Sequence, residues 1–169
     1  MGQKPVYLGK FHDVNNGIDM SIEFETIAKQ DEKTADILCK QGLYNQSAYY
    51  YIQSMEKFIK SYICKKIDIT NAYYANRLRQ LGHSLDDAID FFIEIISGND
   101  SNLRIQVSEQ LKRGVLKGIR FSTIHNVCRY PVYKNGSYRI IEMKKHDCTL
   151  LREIYDMLKT YINSINVRI

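Results

Sequence analysis

The sequence has little proline and glycine and lacks the short motifs of several common nucleotide and hydrolase sites. Its 169 residues include 2 prolines and 9 glycines, a usage that favours long helices over a loop-rich or many-stranded fold. The motifs Gly-x-x-x-x-Gly-Lys-Ser/Thr and Gly-x-Gly-x-x-Gly are absent, so neither a P-loop nor a Rossmann site is indicated. The motifs His-Glu-x-x-His and Gly-x-Ser-x-Gly are also absent, which leaves a zinc-protease helix and a serine-hydrolase elbow without support.

The cysteines and the apolar runs are equally sparse. Cys39, Cys64, Cys128 and Cys148 lie far apart in the sequence and form no Cys-x-x-Cys pair. We therefore expect reduced thiols that fill the core, with a zinc site built from distant Cys and His as the alternative. No apolar run approaches the roughly 18 residues of a membrane span, and no cationic-then-apolar leader opens the chain. These absences predict a cytoplasmic protein with no membrane partner, no metal and no other cofactor.

The composition is that of an ordinary globular domain with a mild basic bias. Hydrophobic residues make up 44% of the chain and charged residues 25%, and the length suits a single domain. The 24 Lys and Arg against 19 Asp and Glu give a net charge of +5. That charge is compatible with a nucleic-acid partner and does not require one.

Helical periodicity predicts an all-α bundle of about five main helices. We expect a loosely attached N-terminal arm over residues 1–20 and a helical domain over 21–169. Helices are predicted over about 21–40, 45–65, 71–81 and 84–97, followed by a long helix and a final one that starts at Asp147 or Thr149. Ser84 is the predicted N-cap of the fourth helix, with Asp86 in its first turn, and Ser101 is the predicted cap of the long helix. A small hairpin turning at Asn135-Gly136 is inserted before the last helix.

The helix over 45–65 has the clearest pattern and is predicted to be the central core helix. Its apolar residues recur at i, i+3, i+4 and i+7 along its whole length. Glu56 and Lys60 are predicted to form a helical i, i+4 pair worth a few tenths of a kcal/mol.

The stretch from Ser108 to Pro131 carries the residues most suited to chemistry. It is predicted to be one helix, with an apolar ridge every four residues and a cationic stripe of Arg113, Lys117 and Arg120. His125, Arg129 and Tyr130 follow where the helix must end before the proline. Cations, an imidazole and an aromatic ring at one helix end suit a phosphate-bearing ligand. The alternative is a buried helix with a solvated basic face.

Three arginine–histidine pairs are close in sequence, and position separates them. His83 lies between Gly82 and Ser84, where it can seal a helix start, and is a secondary candidate for the site. His146, preceded by Arg139, is expected to be solvated at a helix start. Arg120 and His125 are the favoured catalytic pair, although residues five apart on an ideal helix point about 140° away from one another. Either the helix unwinds before Pro131, or a second copy of the chain completes the site as a symmetric homodimer.

Most of the chain, about 21–165, resembles the HEPN domain (higher eukaryotes and prokaryotes nucleotide-binding). The resemblance is carried by short stretches in this order: Gly42-x-Tyr44-x-x-Ser47-Ala48-Tyr49 leading to Glu56-Lys57-x-x-Lys60, then Gly82-His83-Ser84-Leu85, then Arg129-Tyr130-Pro131. It implies a helical bundle and, for many members, a dimeric metal-independent ribonuclease of toxin–antitoxin, CRISPR-associated or anti-phage systems. Arg120 would hold the scissile phosphate and His125 would assist attack by the ribose 2′-hydroxyl, leaving a cyclic phosphate.

The resemblance also implies an alternative without catalysis. Phe121 stands where a polar residue often follows the arginine, and no tyrosine lies two residues after His125. Relatives with a similar Arg-Tyr-Pro turn are thought to bind nucleotides or to act as partners of small nucleotidyltransferases. We therefore expect either an RNA-cleaving protein with a possible antitoxin partner, or a nucleotide- or partner-binding module. In both, Arg113, Lys117, Arg129 and Tyr130 would contact phosphate and base. A third possibility is a scaffold that exposes an apolar face on 84–97 or 45–65.

Overall fold

The computed structural model describes residues 19–166, without the side chain of Asn166. The predicted arm over 1–20 lies outside these residues except for its last two. Asp19 accepts a hydrogen bond from the backbone N–H of Ser21 at 2.8 Å, and Met20 begins the first helix.

The described chain is mostly helical and has one small hairpin, so the predicted all-α class is confirmed. The helices are α1 (Met20–Lys40), α2 (Tyr44–Lys66), α3 (Ala72–Gln80), α4 (Leu85–Ser97), α5 (Ser101–Ser108), α6 (Phe121–Val127) and α7 (Lys145–Asn166). A π-helical segment, Glu109–Val115, continues α5, and a hairpin of β1 (Val132–Lys134) and β2 (Ser137–Arg139) precedes α7. Within residues 19–166, no helix combines the length and apolarity needed to cross a bilayer.

Helix α2 is the centre of the core, as its periodicity predicted. It contacts α1, α4, α6 and α7, and Met55, Ile59 and Ile63 on it are fully buried. Small residues let α1 approach α2 closely. At this interface the hydroxyl of Ser54 on α2 donates a hydrogen bond to the carbonyl of Ala28 on α1 at 2.7 Å. Most apolar residues of α4 are also buried, and Ile95 and Ile96 are half-buried, so the exposed face expected of a scaffold is not found on α2 or α4.

The prediction of one helix from Ser108 to Pro131 is wrong. The backbone N–H of Leu116 donates to the carbonyl of Leu111, a π-type bond, and Lys117 and Gly118 then adopt left-handed φ values of 55° and 70°. The extra residue in this turn gives the core position to Leu116, which is 2% exposed, while Val115 is only half-buried. A left-handed pair ends the helix, and α6 starts afresh at Phe121.

Two helix starts also differ from the prediction. Asp100, rather than Ser101, is the N-cap of α5, and its carboxylate accepts hydrogen bonds from the backbone N–H groups of Asn102 and Leu103. The last helix begins at Lys145, and the carboxylate of Asp147 accepts a hydrogen bond from the backbone N–H of Lys144 at 2.8 Å.

The predicted hairpin is confirmed. Its strands are antiparallel, and Asn135 and Gly136 at the turn both have positive φ, as a primed two-residue turn requires. The segment that follows is fastened to the start of α2. The side-chain amide of Asn45 donates to the carbonyl of Ile141 and accepts from the N–H of Met143, both at 2.7 Å.

Candidate functional site

His83 and His125 meet at one cavity, although 42 residues separate them in the sequence. His125 lies on α6, and His83 lies in the turn between α3 and α4. The cavity has a volume of about 280 Å³. Its lining consists of Ile52, His83, Ser84, Leu85, Phe121, Ser122, His125 and Asn126. We call this the histidine cavity.

His125 is held in a mostly apolar setting that favours its neutral form. The residue is 9% exposed, and its ring centroid lies 5.1 Å from that of Tyr49. Its Nε2 atom is buried and has no hydrogen-bond partner among the described residues. Burial lowers the pKa of His125 below its ordinary value, and the positive charge of Arg129 lowers it further. A neutral imidazole that lines a cavity and has one nitrogen without a partner is suited to exchanging a proton with a ligand.

His83 stands at the rim of the same cavity, and its side chain is 81% exposed. The preceding Gly82 has a left-handed φ of 52°, which turns the chain toward α2. The Gly82 carbonyl accepts a hydrogen bond from the ammonium of Lys60 at 2.5 Å. The Nδ1 atom of His83 lies 3.8 Å from a carboxylate oxygen of Glu56. Ser84, as predicted, caps α4, since its hydroxyl accepts from the N–H of Asp87.

Glu56 and Lys60 form a buried charge pair beneath His83. Their side chains are 1% and 7% exposed, and the ammonium lies 2.6 Å from the carboxylate. The predicted i, i+4 pair is confirmed, and the structure shows that it is buried. The sequence carried a signal for this burial, because both residues lie next to the apolar positions Met55 and Ile59 of the core helix. Removing one partner would leave the other charge buried without compensation, which is strongly destabilising.

Arg129 and Tyr130 extend the site toward the surface. The Arg129 guanidinium lies 5.3 Å from the ring centroid of Tyr49 and 4.9 Å from that of Tyr130. It also donates a hydrogen bond to the Tyr130 hydroxyl at 2.9 Å. Contact with two aromatic rings holds the cation in place beside His125 while both Arg129 and Tyr130 stay exposed.

Arg120 does not line the histidine cavity. It precedes α6 in an extended conformation and lines a separate cavity of about 470 Å³ with Asp86, Asp90 and Lys112. Arg113 is exposed and lies 3.5 Å from Glu109, and Lys117 is exposed in the left-handed turn. The predicted cationic stripe is therefore interrupted where the helix breaks.

Asp86 fastens α6 to the start of α4, a role that the sequence did not indicate. Its two carboxylate oxygens accept hydrogen bonds from the backbone N–H groups of Phe121 at 3.2 Å and Ser122 at 2.9 Å. Arg120 makes no side-chain cap at this helix start, so Asp86 serves as its cap from another helix. The carboxylate thus links the element that carries His125 to the turn that carries His83.

Three of the four cysteines are poorly suited to act as nucleophiles. Burial raises the pKa of Cys64, Cys128 and Cys148 to about 11, so these thiols are protonated at neutral pH. Cys148 is fully buried in the core, as predicted, and its thiol donates a hydrogen bond to the Tyr44 carbonyl.

The histidine cavity is the feature of the described residues that bears most directly on function. No group of three or more His, Cys, Asp or Glu side chains suited to a metal ion occurs within residues 19–166. The chain matches no protein-family model, no curated protein and no solved structure.

Proposed function

We propose that this protein binds RNA at the histidine cavity and cleaves it by metal-independent acid–base catalysis. The observation that carries the proposal is that His125, whose buried Nε2 has no hydrogen-bond partner among the described residues, lines a cavity that a second imidazole, His83, also lines. Two imidazoles can supply the base and the acid that cleavage of a ribose-linked phosphodiester requires.

In the proposed reaction His125 acts as the general base. Its neutral imidazole takes the proton of the ribose 2′-hydroxyl, and the 2′-oxygen forms a bond to phosphorus. The bond from phosphorus to the 5′-oxygen breaks, which leaves a 2′,3′-cyclic phosphate. The imidazolium of His83, beside the Glu56 carboxylate, gives its proton to the departing 5′-oxygen. One proton is taken and one is returned, so the step is balanced.

Arg129 would stabilise the charge that develops on the phosphate. Its guanidinium is already positioned by contact with the rings of Tyr49 and Tyr130, so little reorganisation accompanies binding. A guanidinium also matches the geometry of two phosphate oxygens. In this proposal Arg129 has the role that the resemblance to HEPN ribonucleases assigns to Arg120. The same hypothesis includes a toxin or anti-phage role. It also includes a homodimer in which Arg120 of one copy lies beside His125 of the other.

The test is incubation of the purified protein with a mixed RNA pool in EDTA, comparing wild type with His125→Gln, His83→Gln and the control His146→Gln. His146 is an exposed histidine near the start of α7, with its side chain 76% exposed. We expect wild type and the control to leave cyclic-phosphate ends, and the two cavity variants to lose at least about 100-fold in rate. Cleavage by His125→Gln at the wild-type rate would refute the assignment of the base.

A second candidate is a nucleotide-binding module without catalysis. It is favoured because Arg120 and His125 line different cavities, so the predicted arginine–histidine pair does not form one site within a single chain. Under this alternative RNA survives the EDTA incubation, and a nucleotide raises the melting temperature of wild type by mass action. Arg129→Gln would abolish that rise, because the guanidinium is the exposed cation beside the cavity.

A further inference from the structure

The hairpin carries an ordered pair of tyrosines that face solvent. Tyr133 and Tyr138 are directly opposite one another on β1 and β2, and their ring centroids are 5.2 Å apart with planes inclined by 58°. They are 64% and 76% exposed, and a cross-strand aromatic pair of this kind stabilises the hairpin that carries it. The turn and the strand pairing therefore hold two aromatic faces in water, available to a ligand.

The hairpin is anchored to the fold at both ends. Arg129 and Tyr130, which extend the site from His125, come just before it, and Asn45 on α2 holds the segment that follows. All of residues 133–142 are exposed. The tyrosine pair is thus an exposed surface on a short, anchored arm that follows Arg129 and Tyr130 in the chain.

The charge around the pair indicates the kind of ligand. Residues 129–146 contain five lysines and arginines against one acid, Glu142. Lys134 and Arg139 lie on the strands next in sequence to the tyrosines, so the hairpin presents the tyrosine pair on one face and these cations on the other. Aromatic rings within a basic segment suit a chain of stacked bases with a phosphate backbone.

We propose that the hairpin is a stacking platform for single-stranded RNA, which it delivers to the histidine cavity through Arg129 and Tyr130. The proposal rests on the proposed RNA function and specifies its substrate class. Bases in a duplex are already stacked on one another, so only unpaired bases can stack on the tyrosine rings. Because every base has an aromatic face, binding would tolerate many sequences.

The test measures binding apart from cleavage. A labelled 12-nucleotide RNA with 2′-O-methyl riboses lacks the attacking hydroxyl, and its fluorescence anisotropy gives Kd for the single strand and for its duplex. The double variant Tyr133→Ala/Tyr138→Ala is compared with Tyr133→Phe/Tyr138→Phe and with Tyr73→Ala. Tyr73 is a suitable control because it is 60% exposed on α3 and also lies against a second tyrosine.

We expect the alanine pair to weaken single-strand binding at least fivefold, since each base–aromatic stack contributes about that factor or more. The phenylalanine pair and Tyr73→Ala should bind like wild type, and the duplex should bind more weakly than the single strand. Equal Kd values for wild type and the alanine pair would overturn the platform. So would a change in oligomeric state of the alanine pair without loss of RNA affinity, which would assign the hairpin to a contact between copies.

The two proposals fail in distinguishable ways. Hairpin-dependent binding of RNA that is never cleaved would refute the ribonuclease and keep the platform. Cleavage that is unaffected by the alanine pair would refute the platform and keep the ribonuclease. Absence of any RNA binding by wild type would refute both.

Discussion

Replacing Asp86 with alanine should loosen α6 and with it the environment of His125. The substitution removes the acceptor for two backbone N–H groups, those of Phe121 and Ser122. Loss of an N-cap costs about 0.5–2 kcal/mol, and a bond to a charged acceptor contributes about 1.5–3 kcal/mol. Water can replace the acceptor at the exposed Ser122 but not fully at the buried Phe121. We therefore expect a loss of about 2 kcal/mol in the free energy of unfolding.

Asp87→Ala is the matched control. Asp87 lies in the same first turn of α4 and is exposed, so its removal changes the net charge and the interaction with the helix dipole equally. That interaction is worth about 0.3–1 kcal/mol. The difference between the two variants should be about 1–1.5 kcal/mol, or about 3–5 °C in Tm for a chain of this length. Urea unfolding and thermal melts measure it.

A second measurement reports the local effect. Burial is the main reason that the pKa of His125 is lowered, so a loosened α6 should let it rise toward its ordinary value. NMR titration of the imidazole C–H signals in wild type and both variants would detect the change. The reasoning is refuted if Asp86→Ala and Asp87→Ala are equally stable, or if Asp86→Ala is less stable while the His125 pKa stays as in wild type.

The remaining predictions concern pH, the buried charge pair and the hairpin turn. The pKa of His125 in the native state is below its ordinary 6.5, so the unfolded chain binds the proton more readily. The free energy of unfolding should therefore fall as pH drops below about 6.5, and it should fall less steeply in His125→Gln. Urea unfolding at about pH 7.5 and pH 5 measures both. Lys60→Met leaves the Glu56 carboxylate buried without its partner and should cost about 3 kcal/mol in urea unfolding. Lys65→Met, at an exposed pair, should cost under about 1 kcal/mol. Gly136 has a φ of 80°, which is unfavourable for alanine, so Gly136→Ala should distort the hairpin turn and weaken single-strand RNA binding. Fluorescence anisotropy measures that binding, and Tm should stay within about 1 °C of wild type.

The parts of the fold that the sequence predicts well are those set by local rules. The periodic apolar residues of α2 and α4, the cap at Ser84 and the Asn135-Gly136 turn all depend on neighbours within a few positions. The break after Val115 was missed because the apolar spacing runs through it without interruption. Gly114 and Gly118 were the available signals, since glycine lowers helix stability and favours the left-handed conformation that ends a helix.

The site was harder to predict because it depends on tertiary contacts. His125 and Arg129 were identified from their position near Pro131, and the structure places both beside Tyr49. The meeting of His125 with His83 depends on how α4 and α6 pack on α2, which spacing in the sequence does not reveal. Arg120 was chosen for its distance from His125 along the chain, and the same helix break directs it to a different cavity.

The link through Asp86 has a consequence for which parts of the chain are free to change. His83 and His125 are connected by the first turn of α4, the carboxylate of Asp86 and one turn of α6. The segment from Ser97 to Leu116 takes no part in this connection, even though it lies between α4 and α6 in the chain. Insertions at the turn between α4 and α5 should therefore leave the spacing of the two imidazoles intact. Such a division would allow that edge of the protein to diversify, for instance toward new binding partners, without a penalty at the histidine cavity.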